Sequence, residues 1–430
     1  MALTKLQAAV IEGVLGLTWQ SPAKTSSFAA AIGNGYYLNT TTGAITVTLP
    51  SSPTVGDSIG IIDYAGTAAS NTITLTSSNN IQGSSDDKIV NYTRGALRIT
   101  YADTTQGWVA SAAANDGTSA LNPLPPIVVD FLVVAGGASG GAYYYNGGGG
   151  AGGLRTSYTG GSGGNQPSEN SLSLSLSIPY TITVGTPGAA RTTRDAVGED
   201  GQPSSITDGA SISIVSTGGG GGATEAIGGG ARTGGSGGGA RGSGSGNTTG
   251  GLAVTSPVIQ GFDGGDGTTN GSGGGGGAGF VGGGGANGAS GNGGLGLQVN
   301  IDGLNNFYAG GGGGGGGNPS NSNVGLGGSG IGGNGATYEP SITSRQATAG
   351  ATNTGSGGGG GSHNATNTGS SGAGGSGIVI LRCTKATATI GSGITVNGIN
   401  VAGSVNGIAI SGTSDYHYSA TLGTGTITFS

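Results

Sequence analysis

Charge is scarce in this 430-residue chain, and so are large side chains. Only 7% of residues are charged and 5% aromatic, whereas an ordinary soluble domain is about 25% charged. The 13 basic residues form no run, so the electrostatic footprint that nucleic acid demands is missing. A single cysteine, Cys383, excludes an intrachain disulfide framework and a cysteine-based zinc site. The two histidines, His363 and His417, sit in no motif, and no Ser/His/Asp set can be argued around either. Paired carboxylates for glycan cleavage are a matter of tertiary geometry, but acids outside loops are few. No enzymatic activity, no cofactor and no metal are expected. No run of about 18 apolar residues occurs, so no membrane insertion is expected either. The opening stretch MALTKLQAAVIEGVLGLTWQ is interrupted by Glu12 and lacks the sustained apolar region of a signal peptide. A formal net charge of −6 serves solubility and says little about partners.

Glycine is what the chain has in excess. It supplies 105 residues, roughly a quarter of the chain against a usual ~7%, and 85 of them lie between Gly136 and Gly377. The flanks are rich in Thr, Ser, Ile and Val. Over residues 1–24, Leu3, Leu6, Val10, Val14 and Leu17 recur at spacings of three and four, which predicts a short helical segment for attachment or oligomerisation. Gly13 and Gly16 weaken that helix. Residues 25–114 carry short alternating runs (YYLNT, AITVTLP, SIGIID, TITLTSS, LRITYA, GWVAS) separated by turn residues. They predict one small all-β module, a sandwich or a barrel. Residues 115–126 read as a linker ending in Pro123, Pro125 and Pro126. The glycine-rich region, 127–383, opens on the strand-like IVVDFLVV and closes on GIVILRC, with Tyr180–Val184 and Ile212–Val215 between. Residues 384–430 form a β tail with Asn-Gly turns at 397–398 and 406–407.

Three readings of the glycine tracts compete. A flexible linker follows from composition, because so few apolar residues cannot offset the entropy of ordering glycine. A collagen triple helix requires glycine at every third place, and eight consecutive glycines at Gly310–Gly317 exclude it. Extended polyglycine II helices, three residues per turn and packed side by side, replace an apolar core by interchain N–H···O and Cα–H···O bonds. Tracts such as Gly147–Gly150, Gly218–Gly222, Gly273–Gly277 and Gly357–Gly361, recurring between segments of different composition, suit rods joined by loops.

The ordered pieces DFLVVAGGASGG (130–141), GGGGAGGLRTS (147–157), PYTITVGTPGA (179–189), GQPSSIT (201–207) and GSGIVILRC (375–383) resemble the glycine-rich domain of bacteriophage tail-fibre adhesins. The β module at 25–114 is more loosely similar to one common in phage fibres. The resemblance implies a fold of all-β modules flanking a polyglycine-helix sandwich, with variable distal loops that recognise the host. It implies a virion protein made in the host cytoplasm, binding an outer-surface protein or polysaccharide. Other tail or fibre proteins would dock at the N-terminus, and fibre shafts of this kind are usually homotrimers. The tail after Cys383 departs from the pattern, which puts the position of the tip in doubt. A second departure is that the N-terminal module shares one chain with the glycine-rich region.

Aromatic breaks in the glycine field are the candidate receptor-contact loops: Tyr143, Tyr144, Tyr145 and Asn146; Asn305, Asn306, Phe307 and Tyr308; Tyr338; and His363. Tyrosine offers large contact area and a polar tip at low entropy cost. The competing reading is that these rings cap the ends of the glycine tracts. Arg191, Arg194, Asp195, Glu199 and Asp200 form the densest charge cluster and read as a solvated loop. Asp263-Gly-Gly-Asp266-Gly resembles part of a calcium-binding repeat whose nonapeptide period is absent. Tyr416-His417-Tyr418 reads as a contact patch or as strand packing. A purely structural fibre subunit is the alternative to an adhesin. An ice-binding polyglycine protein is remoter, since regular tripeptide repeats and a flat Thr/Ala face are both missing.

Overall fold

The computed structural model describes residues 16–114, 122–123, 125–225, 230–242, 248–286, 288–317, 323–337, 346–362 and 369–430. The chain divides into two compact units: Met1–Pro126 with Ser175–Ser177, and Ile127–Leu174 with Ile178–Ser430. The regular elements of both are strands, and among the described residues the only helical element is a three-residue 3-10 turn at Gly328–Gly330.

The first unit is a sandwich. Its strands are β1 (Thr18–Lys24), β2 (Phe28–Ala29), β3 (Asn34–Leu38), β4 (Ile45–Thr48), β5 (Ser58–Asp63), β6 (Ile73–Thr76), β7 (Lys88–Val90), β8 (Ala96–Asp103), β9 (Gly107–Ala114) and β10 (Asn122–Pro123). They form two five-stranded sheets, ordered β1-β3-β5-β8-β9 and β10-β7-β6-β4-β2. From β1 to β6 the chain alternates between the sheets, so neighbours within each sheet pair in parallel. Only β5 onto β8, β6 onto β7, β8 onto β9 and β10 onto β7 pair antiparallel. The period-two pattern buries one face of each sheet: Leu38, Ile59, Ile61, Leu97, Ile99 and Trp108 meet Ile45, Val47, Ile73, Leu75 and Val90 in one core.

Two expectations need correction here. Residues 18–24, assigned by sequence to the helical segment, are a strand, and residues 1–15 lie outside the described residues. The cause lies elsewhere in the chain: Gly35 and Gly60 leave bare backbone on which Trp19 and Leu17 lie. A Cβ there would stand 2.5 Å from either side chain. Within the expected linker, Asn122–Pro123 form a strand on β7.

The second unit is built on one large sheet whose main path is β12-β11-β19-β24-β14-β15-β16. These strands are β11 (Ile127–Val134), β12 (Leu154–Thr156), β14 (Tyr180–Thr183), β15 (Ser204–Thr207), β16 (Ser213–Ser216), β19 (Ile378–Cys383) and β24 (Tyr416–Phe429). The short strands β13 (Leu172–Leu174), β20 (Thr387–Ile390), β21 (Ile394–Val396), β22 (Gly403–Asn406) and β23 (Ile408–Ala409) attach to its flanks. A separate hairpin pairs β17 (Leu297–Val299) with β18 (Asn306–Tyr308). The 14-residue β24 pairs with β19 through Tyr416–Ala420 and with β14 through Thr424–Ile427. The tail at 384–430, expected as a module of its own, therefore belongs to the same sheet as the first and last strands of the glycine-rich region.

The glycine tracts leave this sheet and run side by side, tied by backbone hydrogen bonds. Ala135, Ala138 and Gly141 donate to Gly153, Gly150 and Gly147. Gly136, Ser139 and Ala142 donate to Gln202, Glu199 and Ala196, and Gly137, Gly140 and Tyr143 donate to Gly375, Gly372 and Gly369. Every third residue faces the same neighbour. The tract Gly147–Gly153 is enclosed on all sides: it donates to tracts around Gly220, Gly273 and Gly358, and accepts from Ala138, Gly239 and Gly312. Backbone pairing here takes the place of a side-chain core, and between tracts there is room only for glycine and for small side chains such as Ala151 and Ser236. A Cβ at Gly147, Gly148 or Gly149 would lie 1.8, 2.1 or 2.2 Å from a carbonyl oxygen of the adjacent tract.

Where the array ends, polar side chains supply the missing acceptors. Asp200 accepts from Gly221 N–H, Asp266 from Gly250, Asp263 from Ala253, Gln260 from Thr217 and Asn292 from Leu326, at 2.6 to 2.9 Å. The buried Ser204 hydroxyl both accepts from Gly185 N–H and donates to Val134 O, each at 2.8 Å. Unpaired backbone groups are costly, and these side chains meet that requirement at the rim.

Candidate functional site

The register of the tracts sets where the candidate residues lie. The tract 135–142 runs away from β11, and 147–153 returns to β12, so residues 143–146 turn at the end of the array remote from the sheet. Ala336 N–H donates to Gly360 O and Gly361 N–H to Gly141 O, which brings the ends of two further tracts to the same place. Those tracts lead into 338–345 and 363–368, so Tyr338 and His363 lie outside the described residues.

At this remote end the turn is tight. Tyr143 and Tyr145 have φ of 105° and 45°, a region that costs non-glycine residues energy and needs support from its surroundings. Support comes from rings and charge. Tyr143 meets Tyr144 edge-on at 4.5 Å, and the Arg194 guanidinium lies 4.2 Å from the Tyr143 ring centroid. The Tyr145 ring covers Gly317, where a Cβ would stand 2.4 Å from its Cγ. Asn146 is fully buried, its Nδ2 donating to Gly361 O at 3.2 Å and its carbonyl accepting from Gly315. Two of the four expected contact residues, Tyr143 and Asn146, are thus buried supports. Tyr144 and Tyr145 are part-exposed. The charge cluster beside them is solvated, as expected: Arg191–Glu199, Arg194–Asp195 and Arg232–Asp200 pair at 3.1 to 3.2 Å with exposed side chains, an arrangement that contributes little stability.

The second candidate group does not join the first. β17 and β18 form a hairpin at the sheet end of the array, just before the tract 309–317 departs from it. Asn305, Asn306 and Phe307 are exposed there, while Tyr308 is buried against Val299, Ile301 and Ile380. Burial, aided by the nearby Asp302 carboxylate, pushes the Tyr308 phenol up to about 12. Tyr308 is therefore a core residue. Asn305, Asn306 and Phe307 stand beside an open cleft of about 450 Å³ whose lining includes Asp302, Asn353, Ile378 and Ser419. Sequence reading missed this cleft because its walls come from five separate stretches of chain.

The remaining motifs resolve as structure. Asp263 and Asp266 cap backbone N–H groups, and among the described residues no group of three His, Cys, Asp or Glu side chains could hold a metal ion. In Tyr416-His417-Tyr418, Tyr418 packs edge-on against Phe429 at 5.4 Å and donates to Lys385 O at 2.8 Å. His417 contacts Ser419 at 3.2 Å, and desolvation lowers its pKa. This patch is strand packing.

The lattice of paired glycine tracts defines a glycine-rich scaffold with side-chain chemistry confined to its rim and its two ends. A family model described as a glycine-rich domain matches residues 113–384, and the chain belongs to that family. The match stops before β24, the strand that completes the sheet. No curated protein matches the chain.

Proposed function

We propose that this protein is a bacteriophage tail-fibre adhesin that recognises the host surface through the turns at the remote end of its glycine-rich domain. The supporting observation is the combination at that end: a backbone-bonded array whose tract ends lie side by side, carrying the strained Tyr143–Tyr145 turn and the exposed Arg194 beside it. Recognition residues on loops held by a rigid scaffold are the common arrangement in binding proteins. The every-third-residue bonding fits tracts that are extended polyglycine II helices. On this reading the chain resides in the virion, contacts a host outer-surface protein or polysaccharide, docks to other fibre proteins through its N-terminus and trimerises.

A structural fibre subunit is the second reading, favoured by the burial of Tyr143 and Asn146 and by the seat of Tyr145 on Gly317. Binding of the labelled full chain to a panel of bacteria separates the two. The adhesin binds selected strains, and Arg194→Ala or Tyr144→Ala weakens that binding about tenfold or more with the fold intact. Folded protein that binds no strain, while intact particles do, makes the chain a structural subunit. Sedimentation equilibrium tests the trimer, and a stable monomer removes it.

A further inference from the structure

We infer that the cleft at the sheet end, beside the 297–308 hairpin, is a second binding site, and that its ligand is a neutral sugar ring. Its floor is apolar: Tyr308, Ile378 and Ile380 are all buried there. Phe307, 41% exposed, forms a wall and offers an aromatic face to the cleft. Around this apolar part stand Asp302, Asn306, Asn353 and Ser419. A pyranose has the complementary pattern, with C–H groups on a face that stacks on an aromatic ring and hydroxyls at its edge that both donate and accept.

The polar groups are held in place. Asp302 accepts from Leu304 N–H at 3.0 Å and from Asn306 Nδ2 at 3.1 Å, leaving each carboxylate oxygen a further acceptor site. Asn353 adopts φ 58° and is fixed by two hydrogen bonds with Ser376. Ser419 is held by Asn397 through its N–H at 2.8 Å. No lysine or arginine is among the lining residues, and the one carboxylate present disfavours phosphate or carboxylate ligands. The volume of about 450 Å³ is that of a small-ligand site.

This site lies at the opposite end from the turns proposed to meet the host, so the two readings fail separately. The test is saturation-transfer difference NMR on the full chain with millimolar glucose, galactose, mannose and N-acetylglucosamine. At least one sugar shows transfer to its ring protons. Phe307→Ala, at an exposed side chain, reduces that affinity about tenfold and Phe307→Tyr preserves it, with unchanged circular dichroism in both. Leu422→Ala, exposed elsewhere, leaves it unaltered. Absence of transfer from all four sugars, or full transfer in the Phe307→Ala protein, overturns the assignment. Strain binding through Arg194 is indifferent to either result.

Discussion

A methyl group at Gly149 would sit 2.2 Å from the carbonyl oxygen of Ala138, and one at Gly312 would sit 2.0 Å from that of Gly358. Neither oxygen can move without breaking its own hydrogen bond. Gly149→Ala and Gly312→Ala are therefore expected to destabilise the second unit by roughly 3 kcal/mol or more, through overpacking and lost pairing. Gly284 is the control: it is exposed, its nearest neighbour to an added Cβ is 3.7 Å away, and Gly284→Ala should change stability by less than about 0.5 kcal/mol. Thermal unfolding followed by circular dichroism distinguishes these outcomes. Ser204→Ala removes a buried hydroxyl that accepts from Gly185 N–H and donates to Val134 O, leaving the Gly185 N–H without that acceptor, at an expected cost of about 1–3 kcal/mol in the same assay. Tyr308 adds a pH dependence. Its phenol is raised to about 12 in the folded protein against an unfolded value near 10, so its contribution is complete below pH 10. It is lost between pH 10 and 12, because only the unfolded chain then releases the proton. Urea titrations across that interval should show a slope that Tyr308→Phe reduces, the remainder coming from Tyr92, Tyr418 and Cys383, which burial also raises.

Among the elements, β24 joins halves that the sequence keeps far apart. Without it, β19 and β14 would present open edges along Ile378–Cys383 and Tyr180–Thr183. Truncation after Lys385 is expected to give protein that aggregates more than the full chain; monodisperse truncated protein in gel filtration would show that the tail is dispensable. Local sequence announced most strands: YYLNT overlaps β3, SIGIID is β5, LRITYA lies in β8, IVVDFLVV is β11 and IVILRC is β19. Alternation and β-branched residues carry that information within a few positions. Pairing was not legible. Nothing in Ile45–Thr48 reveals that it lies parallel to Ile73–Thr76, and the spacing of Leu3 to Leu17 hid a strand whose seat is made by two distant glycines. The candidate sites divide in the same way. Aromatic breaks were visible in the sequence, but the seats of Tyr143 and Asn146 depend on Gly369 and Gly361, far along the chain and without side chains to announce a partner, and that of Tyr308 on Val299, Ile301 and Ile380.

At the scale of the molecule, the second unit is an array in which a few side chains at the rim decide where the pairing stops. Native-state hydrogen exchange should follow that layout. Amides of Gly147–Gly153, enclosed by six tracts, are expected to exchange slowest, and those of the rim tract at 282–286 fastest. Comparable exchange in both would mean that the array opens as one body. The replacement of side-chain burial by backbone pairing has a thermodynamic consequence. Exposure of apolar surface raises the heat capacity on unfolding and exposure of polar surface lowers it, for a usual net of about 12–15 cal/mol/K per residue. An array that hides mainly peptide groups should fall well below that value. Its stability curve would then be broad and shallow, with little loss of stability on cooling. A scaffold of this kind would keep nearly the same strength from the cold to the warm end of the range.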